Sequence, residues 1–324
     1  MKKILITGAT GFVGSHLTEL CMEKGYDVVA FDRYNPNYNL GWLEKSKFRN
    51  DINFIFGDIR DYDSVLKSMK GCEVVFHLAA LIGIPYSYFS PLAYLKTNVE
   101  GTYNVLESSK YLEVEQTIIT STSEVYGSAQ YIPIDEKHPF SPQSPYSASK
   151  ISADNLAISY WNSYQQPIKI IRPFNIYGPR QSSRAVIPSI IIQALNKKDE
   201  IKLGNIRPIR DFTFVTDTCD AFLDILKLKN FFGNTLNVGS NNKNSIEDIA
   251  VKILKKLNSK AKIKKDNQRI RSKTSEVDRL VCDNSKILKH TQWKAKVKID
   301  KGLDITIDWF KKFKDLFKHD IYHV

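Results

Sequence analysis

Tyr146 and Lys150 stand four residues apart, with Thr122-Ser123-Glu124 upstream of them. Residues at i and i+4 share one face of a helix, so this spacing sets an ammonium beneath a phenol. A positive charge there favours phenolate and predicts a Tyr146 pKa below the ordinary value of about 10. A tyrosine tuned in this way can take the proton of a sugar hydroxyl while a nicotinamide takes hydride from the same carbon. Tyr and Lys at this spacing are common on surface helices. The pair carries the chemistry only if a dinucleotide fold precedes it.

The N-terminal half supplies the elements of one. Residues 3–7 read as a buried parallel strand, and Gly8, Gly11 and Gly14 follow, with Phe12 and Val13 opening a helix-like run to Lys24. Glycines so spaced permit a tight turn, close approach of backbone to a pyrophosphate, and packing of helix on strand. The next strand ends at Asp32, placed to accept hydrogen bonds from the adenosine ribose of NAD and to repel the extra phosphate of NADP. Arg33 pulls the other way, and NAD is the favoured cofactor. Strand 52–56 leads into Gly57-Asp58-Ile59, and strand 73–77 into His77-Leu78-Ala79-Ala80, where small residues let a cofactor lie against the backbone. His77 has no evident partner and reads as structural. A loop from Leu81 to Pro91, carrying Pro85 and Ser87, is expected over the crevice. A helix over about 91–111 carries Asn98, and strand 116–120 delivers the chain to Ser121. This alternation predicts an α/β fold, a Rossmann-type doubly wound parallel sheet.

After strand 168–171 and Asn175 the elements shorten and isolated arginines appear, among them Arg180, Arg184, Arg210 and Arg271. Arginine suits bidentate phosphate binding, Arg210 and Arg271 foremost. The expected division is a dinucleotide-binding domain over 1–180, which carries the reactive residues, and a smaller α/β lobe over 181–324. Segment 212–240 is expected to cross back to the sheet. With 47 Lys+Arg against 35 Asp+Glu in 324 residues the net charge is +12. The late lysines interleave with Ile253, Leu254, Leu257 and Ile263 like the wet side of a helix and strand, so no nucleic-acid partner is expected. Basicity would also suit a dianionic nucleotide substrate. No apolar run is long enough to span a bilayer, and the start, Met1 to Gly8, is a first strand rather than a signal peptide. Cys21, Cys72, Cys219 and Cys282 have no metal or redox spacing; no metal is expected, and reduced cysteines suit the cytoplasm. The apolar stripe of Leu303, Ile307, Phe310, Phe313 and Phe317 predicts a closing helix rather than a membrane-surface one.

The glycine loop, Asp32, His77 to Ala80, the Tyr146/Lys150 pair and Asn175 with Tyr177-Gly178-Pro179 occur in one order, and together they resemble the extended short-chain dehydrogenase/reductase family nearly end to end. That resemblance implies catalytic NAD, a nucleotide-sugar substrate held by the C-terminal lobe, and a homodimer formed through helices at about 91–111 and 144–164. Asn175, Arg184, Arg210 and Arg271, with Pro85 and Ser87, become the substrate-site candidates. Thr122-Ser123-Glu124 resembles the 4,6-dehydratases, whose reaction needs a base for C5 and help for the departing C6 hydroxyl. UDP-glucuronate decarboxylases share the triplet, whereas 4-epimerases usually carry a small or apolar residue at the position of Glu124. Stretches around Ile84–Tyr88, Gln143–Lys150 and Pro179–Pro188 are similar to the N-acetylglucosamine-nucleotide 4,6-dehydratases of legionaminic-acid-type pathways. A non-catalytic NAD-binding regulatory protein would have no need of Thr122, Glu124, Tyr146 and Lys150 together.

Overall fold

The computed structural model describes residues 2–196 and 199–317. Strands β1 (Lys3–Thr7), β2 (Asp27–Arg33), β3 (Asn53–Gly57), β4 (Val74–His77), β5 (Gln116–Thr120) and β6 (Ile168–Pro173) join the strand Asn234–Val238 in one sheet. The order is Asn234–Val238, β6, β5, β4, β1, β2, β3, and every pairing is parallel. The predicted doubly wound sheet is present.

Alternation along the strands sends side chains to two covered faces. Ile4, Ile6, Val28, Ala30 and Phe76 pack with Leu17 and Cys21 of the helix Phe12–Glu23 and with Phe222 and Ile225 of the helix Val215–Lys227. Leu5, Val29, Phe31 and Val75 face the opposite way, onto Val65 and Met69 of the helix Tyr62–Met69 and Val105 of the helix Gly101–Tyr111. β1 lies between β2 and β4, so the winding reverses there and a crevice opens at the carboxyl ends of the strands.

Two local expectations are corrected. The stretch 81–91 is not an open loop, because Ile84–Phe89 forms a short helix with Pro85 in its first turn, where a missing N–H costs nothing. Residues 91–111 are helical throughout but contain a wider turn at Leu95–Glu100, between Pro91–Tyr94 and Gly101–Tyr111.

Smaller strand groups lie downstream. Asn175–Tyr177 pairs with Phe212–Phe214, and Ile209–Arg210 is held between Asn244–Ser245 and Arg279–Leu280. Part of the basic stretch is neutralised in place: Lys252, Lys256 and Lys264 reach Asp300, Asp304 and Glu200 at 2.9, 2.7 and 2.9 Å. The helix Ile299–Lys312 buries Leu303, Ile307 and Phe310, and no helix among the described residues is long and apolar enough to cross a membrane. Its Trp309 meets Trp42 edge to face at 5.1 Å, and the Trp42 N–H donates to the Thr10 carbonyl at 3.2 Å.

The helix Pro145–Tyr164 starts at a reciprocal Ser144/Ser147 cap with Pro145 in the first turn. It is fastened to the sheet by Asp154 and Arg172, whose side chains are 1% and 5% exposed and 2.9 Å apart. Ser121 donates to the same Asp154 oxygen at 2.7 Å, and Arg172 donates to the Tyr126 hydroxyl at 3.0 Å. Removing one partner of such a pair strands a buried charge. Asp154→Ala should therefore lower stability by roughly 3–5 kcal/mol in urea unfolding. The double change Asp154→Leu with Arg172→Met should recover most of that loss.

Candidate active site

The crevice at the β1/β4 reversal is built for a dinucleotide. Gly8 has φ of +71°, and a Cβ on it would come within 3.0 Å of the Ala79 backbone. A Cβ on Gly14 would meet the Gly8 carbonyl oxygen at 2.1 Å, so only glycine lets the helix sit so close to β1. Gly11 caps that helix with no side chain across its first N–H groups and no acid in the first turn. Free amides and the positive end of a helix dipole suit a pyrophosphate. Phe12 and Val13 form that first turn. Thr7 accepts from the amides of Leu78 and Ala79, both at 3.1 Å, and so fixes the second wall.

Asp32 lies one residue from the end of β2, and its carboxylate also has a structural task. One oxygen accepts from the Thr10 amide at 2.8 Å and the Thr10 hydroxyl at 2.6 Å, while the other accepts from the Arg33 amide at 2.7 Å. Asp58 is gripped by Arg60, whose hydrogen bond holds that carboxyl below its usual range. Ile59 is buried and its carbonyl accepts from Asn104 at 3.0 Å. Asn98 is fully engaged with protein: its amide bonds both backbone groups of Leu81 and the Ser149 hydroxyl at 2.8–2.9 Å. It positions the turn after Ala80. His77 does have partners, Thr7 at 2.8 Å and Thr102 at 3.2 Å, in keeping with a structural role.

The reactive set meets at the carboxyl ends of β5 and β6. Thr122 and Glu124 both act on the Tyr146 phenol, Thr122 favouring its ionised form and Glu124 opposing it. Glu124 follows in a tight turn whose amide donates to the Thr122 hydroxyl at 3.2 Å, and Ser123 is buried beside it. One expectation fails here. Burial pushes the Tyr146 phenol above its ordinary value, outweighing Thr122, and Glu124 adds to the rise. Burial also pulls the Lys150 ammonium down, against the pull of Asp154, and its Nζ donates to the Thr120 carbonyl at 2.6 Å. Tyr146 and Lys150 do lie on one helix at i, i+4, but at the phenol desolvation and the neighbouring acids Glu124 and Asp154 act in the same direction.

On the substrate side, Asn175 Oδ1 and Arg271 Nη1 are buried without a hydrogen-bond partner, as a ligand-facing amide and guanidinium would be. Arg210 is buried, and its guanidinium donates to the carbonyls of Ile209 at 3.0 Å, Asp278 at 3.4 Å and Val277 at 2.7 Å. Both Glu124 and Arg271 act on it electrostatically. Arg184 is exposed, with Nη1 about 3.3 Å from where a Cβ on Gly83 would lie. Pro85 sits in the first turn of the short helix, whereas the Ser87 hydroxyl is turned inward onto the Ile84 carbonyl at 2.6 Å. Sequence reasoning passed over Asp154, Arg172 and Tyr126. Only Asp154 left a signal, since Tyr146, Lys150 and Asp154 recur at i, i+4 and i+8 on one helix face.

The family model described as GDP-mannose 4,6 dehydratase matches residues 5–306. The chain belongs to this dehydratase family. The family's relatives include human dTDP-D-glucose 4,6-dehydratase, 30% identical over 318 residues, which cover 96% of this chain and 90% of that protein. Among solved structures, the dTDP-glucose 4,6-dehydratase DesIV of Streptomyces venezuelae with NAD and TYD bound superposes with a TM-score of 0.90. It is 25% identical, over 98% of this chain and 99% of that one. The UDP-glucuronic acid 4-epimerase of Bacillus cereus, in complex with UDP-glucuronic acid and NAD, gives 0.88 at 31% identity, over 96% and 99%. Neighbours of this fold thus hold NAD, and they include a 4,6-dehydratase and a 4-epimerase.

Two titrations follow from these environments. The tyrosinate difference spectrum of the protein minus that of Tyr146→Phe should show Tyr146 ionising above ordinary tyrosines, and Glu124→Gln should move it lower. Burial also holds His77 and His16 neutral, down to about 3 and about 4. The unfolded chain binds those protons near pH 6.5 and the folded chain does not, so this stability is complete above about pH 6.5 and lost as pH falls toward 4 and 3. The urea midpoint should fall between about pH 7 and pH 5, with a shallower slope in His16→Gln.

Proposed function

We propose that this protein is an NAD-dependent sugar-nucleotide 4,6-dehydratase, and the observation that carries the reading is the carboxylate of Glu124 beside Tyr146. A 4-epimerase needs one group to take and return the O4 proton. A dehydratase needs a second base, and a glutamate supplies it. Gly8, Gly11, Gly14, Asp32 and the backbone of Leu78 to Ala80 would hold NAD, which supplies the hydride acceptor for C4 and the donor for C6.

Each side chain then has one task. Tyr146, as phenolate, takes the O4 proton, and Lys150 lowers the cost of that charge. Thr122 steadies O4 by hydrogen bonding. Once C4 is a ketone the C5 proton is acidic, and Glu124 removes it. Water leaves from C6 as Ser123 or the protonated Glu124 gives a proton to the departing hydroxyl. Asn175, Arg210 and Arg271 are proposed for the diphosphate, with Arg184, Pro85 and Ser87 around the sugar, in a C-terminal lobe beginning near residue 180.

N-acetylglucosamine linked to GDP or UDP is the proposed substrate, on the resemblance of the 84–88, 143–150 and 179–188 stretches to enzymes of legionaminic-acid-type pathways, and the product would feed bacterial surface polysaccharide. Phe89, Leu92, Leu95, Tyr103 and Tyr164 are exposed on or beside the helices at 91–111 and 145–164, which supports a homodimer through that face. All four cysteines are buried free thiols, which supports a cytoplasmic setting.

The test is mass spectrometry after separate incubation with NAD+ and UDP-GlcNAc, GDP-GlcNAc, GDP-mannose, dTDP-glucose or UDP-glucuronate. Loss of one water from a hexose nucleotide is expected. An unchanged mass with an inverted C4 would make the chain an epimerase, the reading favoured by the Bacillus cereus neighbour, and loss of CO2 from the uronate a decarboxylase. Glu124→Gln should still oxidise C4 but lose no water; full turnover by that variant would overturn the assignment.

A further inference from the structure

The segment 274–278 belongs to none of the roles above, yet the carbonyls of Thr274, Glu276, Val277 and Asp278 and the amide of Asp278 are all taken by side chains from elsewhere. Gln143 Nε2 donates to the carbonyls of Thr274 at 2.8 Å and Glu276 at 3.1 Å. Ser128 donates to the Glu276 carbonyl at 3.3 Å and accepts from the Asp278 amide at 3.2 Å. Arg210 takes the carbonyls of Val277 and Asp278. The Ser275 hydroxyl donates to the Gln143 carbonyl at 2.6 Å and also meets the Tyr88 hydroxyl.

Gln143 is the hub. Its Oε1 accepts from the Ser128 amide while its Nε2 spans two carbonyls of the segment. The fold makes room for it, since Gly127 has φ of +61° and a Cβ there would lie 2.7 Å from Gln143 Oε1. Gln143 stands three residues before Tyr146, immediately ahead of the Ser144 cap of its helix, and Arg271 three residues before Thr274. The Gln143 side chain thereby ties the segment just after Arg271, whose Nη1 has no partner, to the start of the helix that carries the phenol.

We propose that Gln143 is a positioning residue for substrate, which fixes the distance between the diphosphate-binding Arg271 and the sugar-facing Tyr146. This rests on the proposal that Arg271 binds a nucleoside diphosphate. A substrate spans both points, so slack between them weakens its binding, while the dinucleotide cradle is built from Gly8, the helix Phe12–Glu23 and the Ala79 backbone and uses no part of this segment.

The experiment is calorimetric titration of dTDP, UDP and GDP, and separately of NAD, into the full chain and into Gln143→Ala, Gln143→Glu and Ser275→Ala. Gln143→Ala should weaken nucleoside diphosphate binding about tenfold with NAD affinity unchanged, and Ser275→Ala, which keeps the amide, about threefold. Gln143→Glu still accepts from Ser128 but cannot donate to Thr274 and Glu276, so it should be as weak as the alanine variant. Restored binding in Gln143→Glu would mean that the residue only supports the Ser128 turn, and would overturn the proposal. So would parallel loss of NAD binding, or Gln143→Ala binding within twofold of wild type. If Ser275→Ala alone folds, its nucleotide affinity decides, and no change there counts against the proposal. Wild-type binding of no nucleoside diphosphate would remove the proposal with its premise. Binding without sugar turnover would leave it standing and remove only the reaction.

Discussion

One carboxylate organises the reactive end of the sheet. Asp154 meets Arg172 of β6, receives the hydroxyl of Ser121 just beyond β5, and favours the charge on Lys150 one helical turn away. Two buried charges cost several kcal/mol each to desolvate, so the pair adds little net stability. What it adds is register. The helix Pro145–Tyr164 can slide or turn on the sheet only by breaking a charge-assisted contact in a dry site. Thr122 and Tyr146 come from different elements, and they meet because both are referred to Asp154.

The electrostatics around Tyr146 oppose its ionisation. Burial raises the phenol, lowers the Lys150 ammonium, and Glu124 adds negative charge nearby. In the proposed reaction, a phenol held protonated until a substrate hydroxyl shares its site would be a safer device than a standing phenolate. It would also be the form needed to return the proton afterwards. Low dielectric enlarges the effect of each charge that enters.

Much of this was legible in the sequence, and the failures have physical reasons. Strand after strand could be read because burial on both faces demands unbroken apolar runs, and Gly8 and Gly14 announced the cradle because no side chain fits there. The Tyr146/Lys150 face followed from helical spacing. The sign of the Tyr146 shift was not legible, because it depends on how much water the folded crevice excludes. Nor was the engagement of Asp32 by Thr10, of Asn98 by Leu81 or of Arg210 by Val277. A residue type states what it can bond, and only the fold states what reaches it first. The helix within 84–89 was hidden by its proline and glycine, which read as loop but serve as the first helical turn.

The Trp42–Trp309 contact joins parts of the chain that are far apart in sequence. The residues after β2 rest on Thr10 at the cofactor loop, and the last described helix rests on them. Sequence drift in the two stretches is therefore coupled. A smaller side chain at either position removes one wall from the other indole, so the helix Ile299–Lys312 and the turn at Thr10 share a single packing constraint.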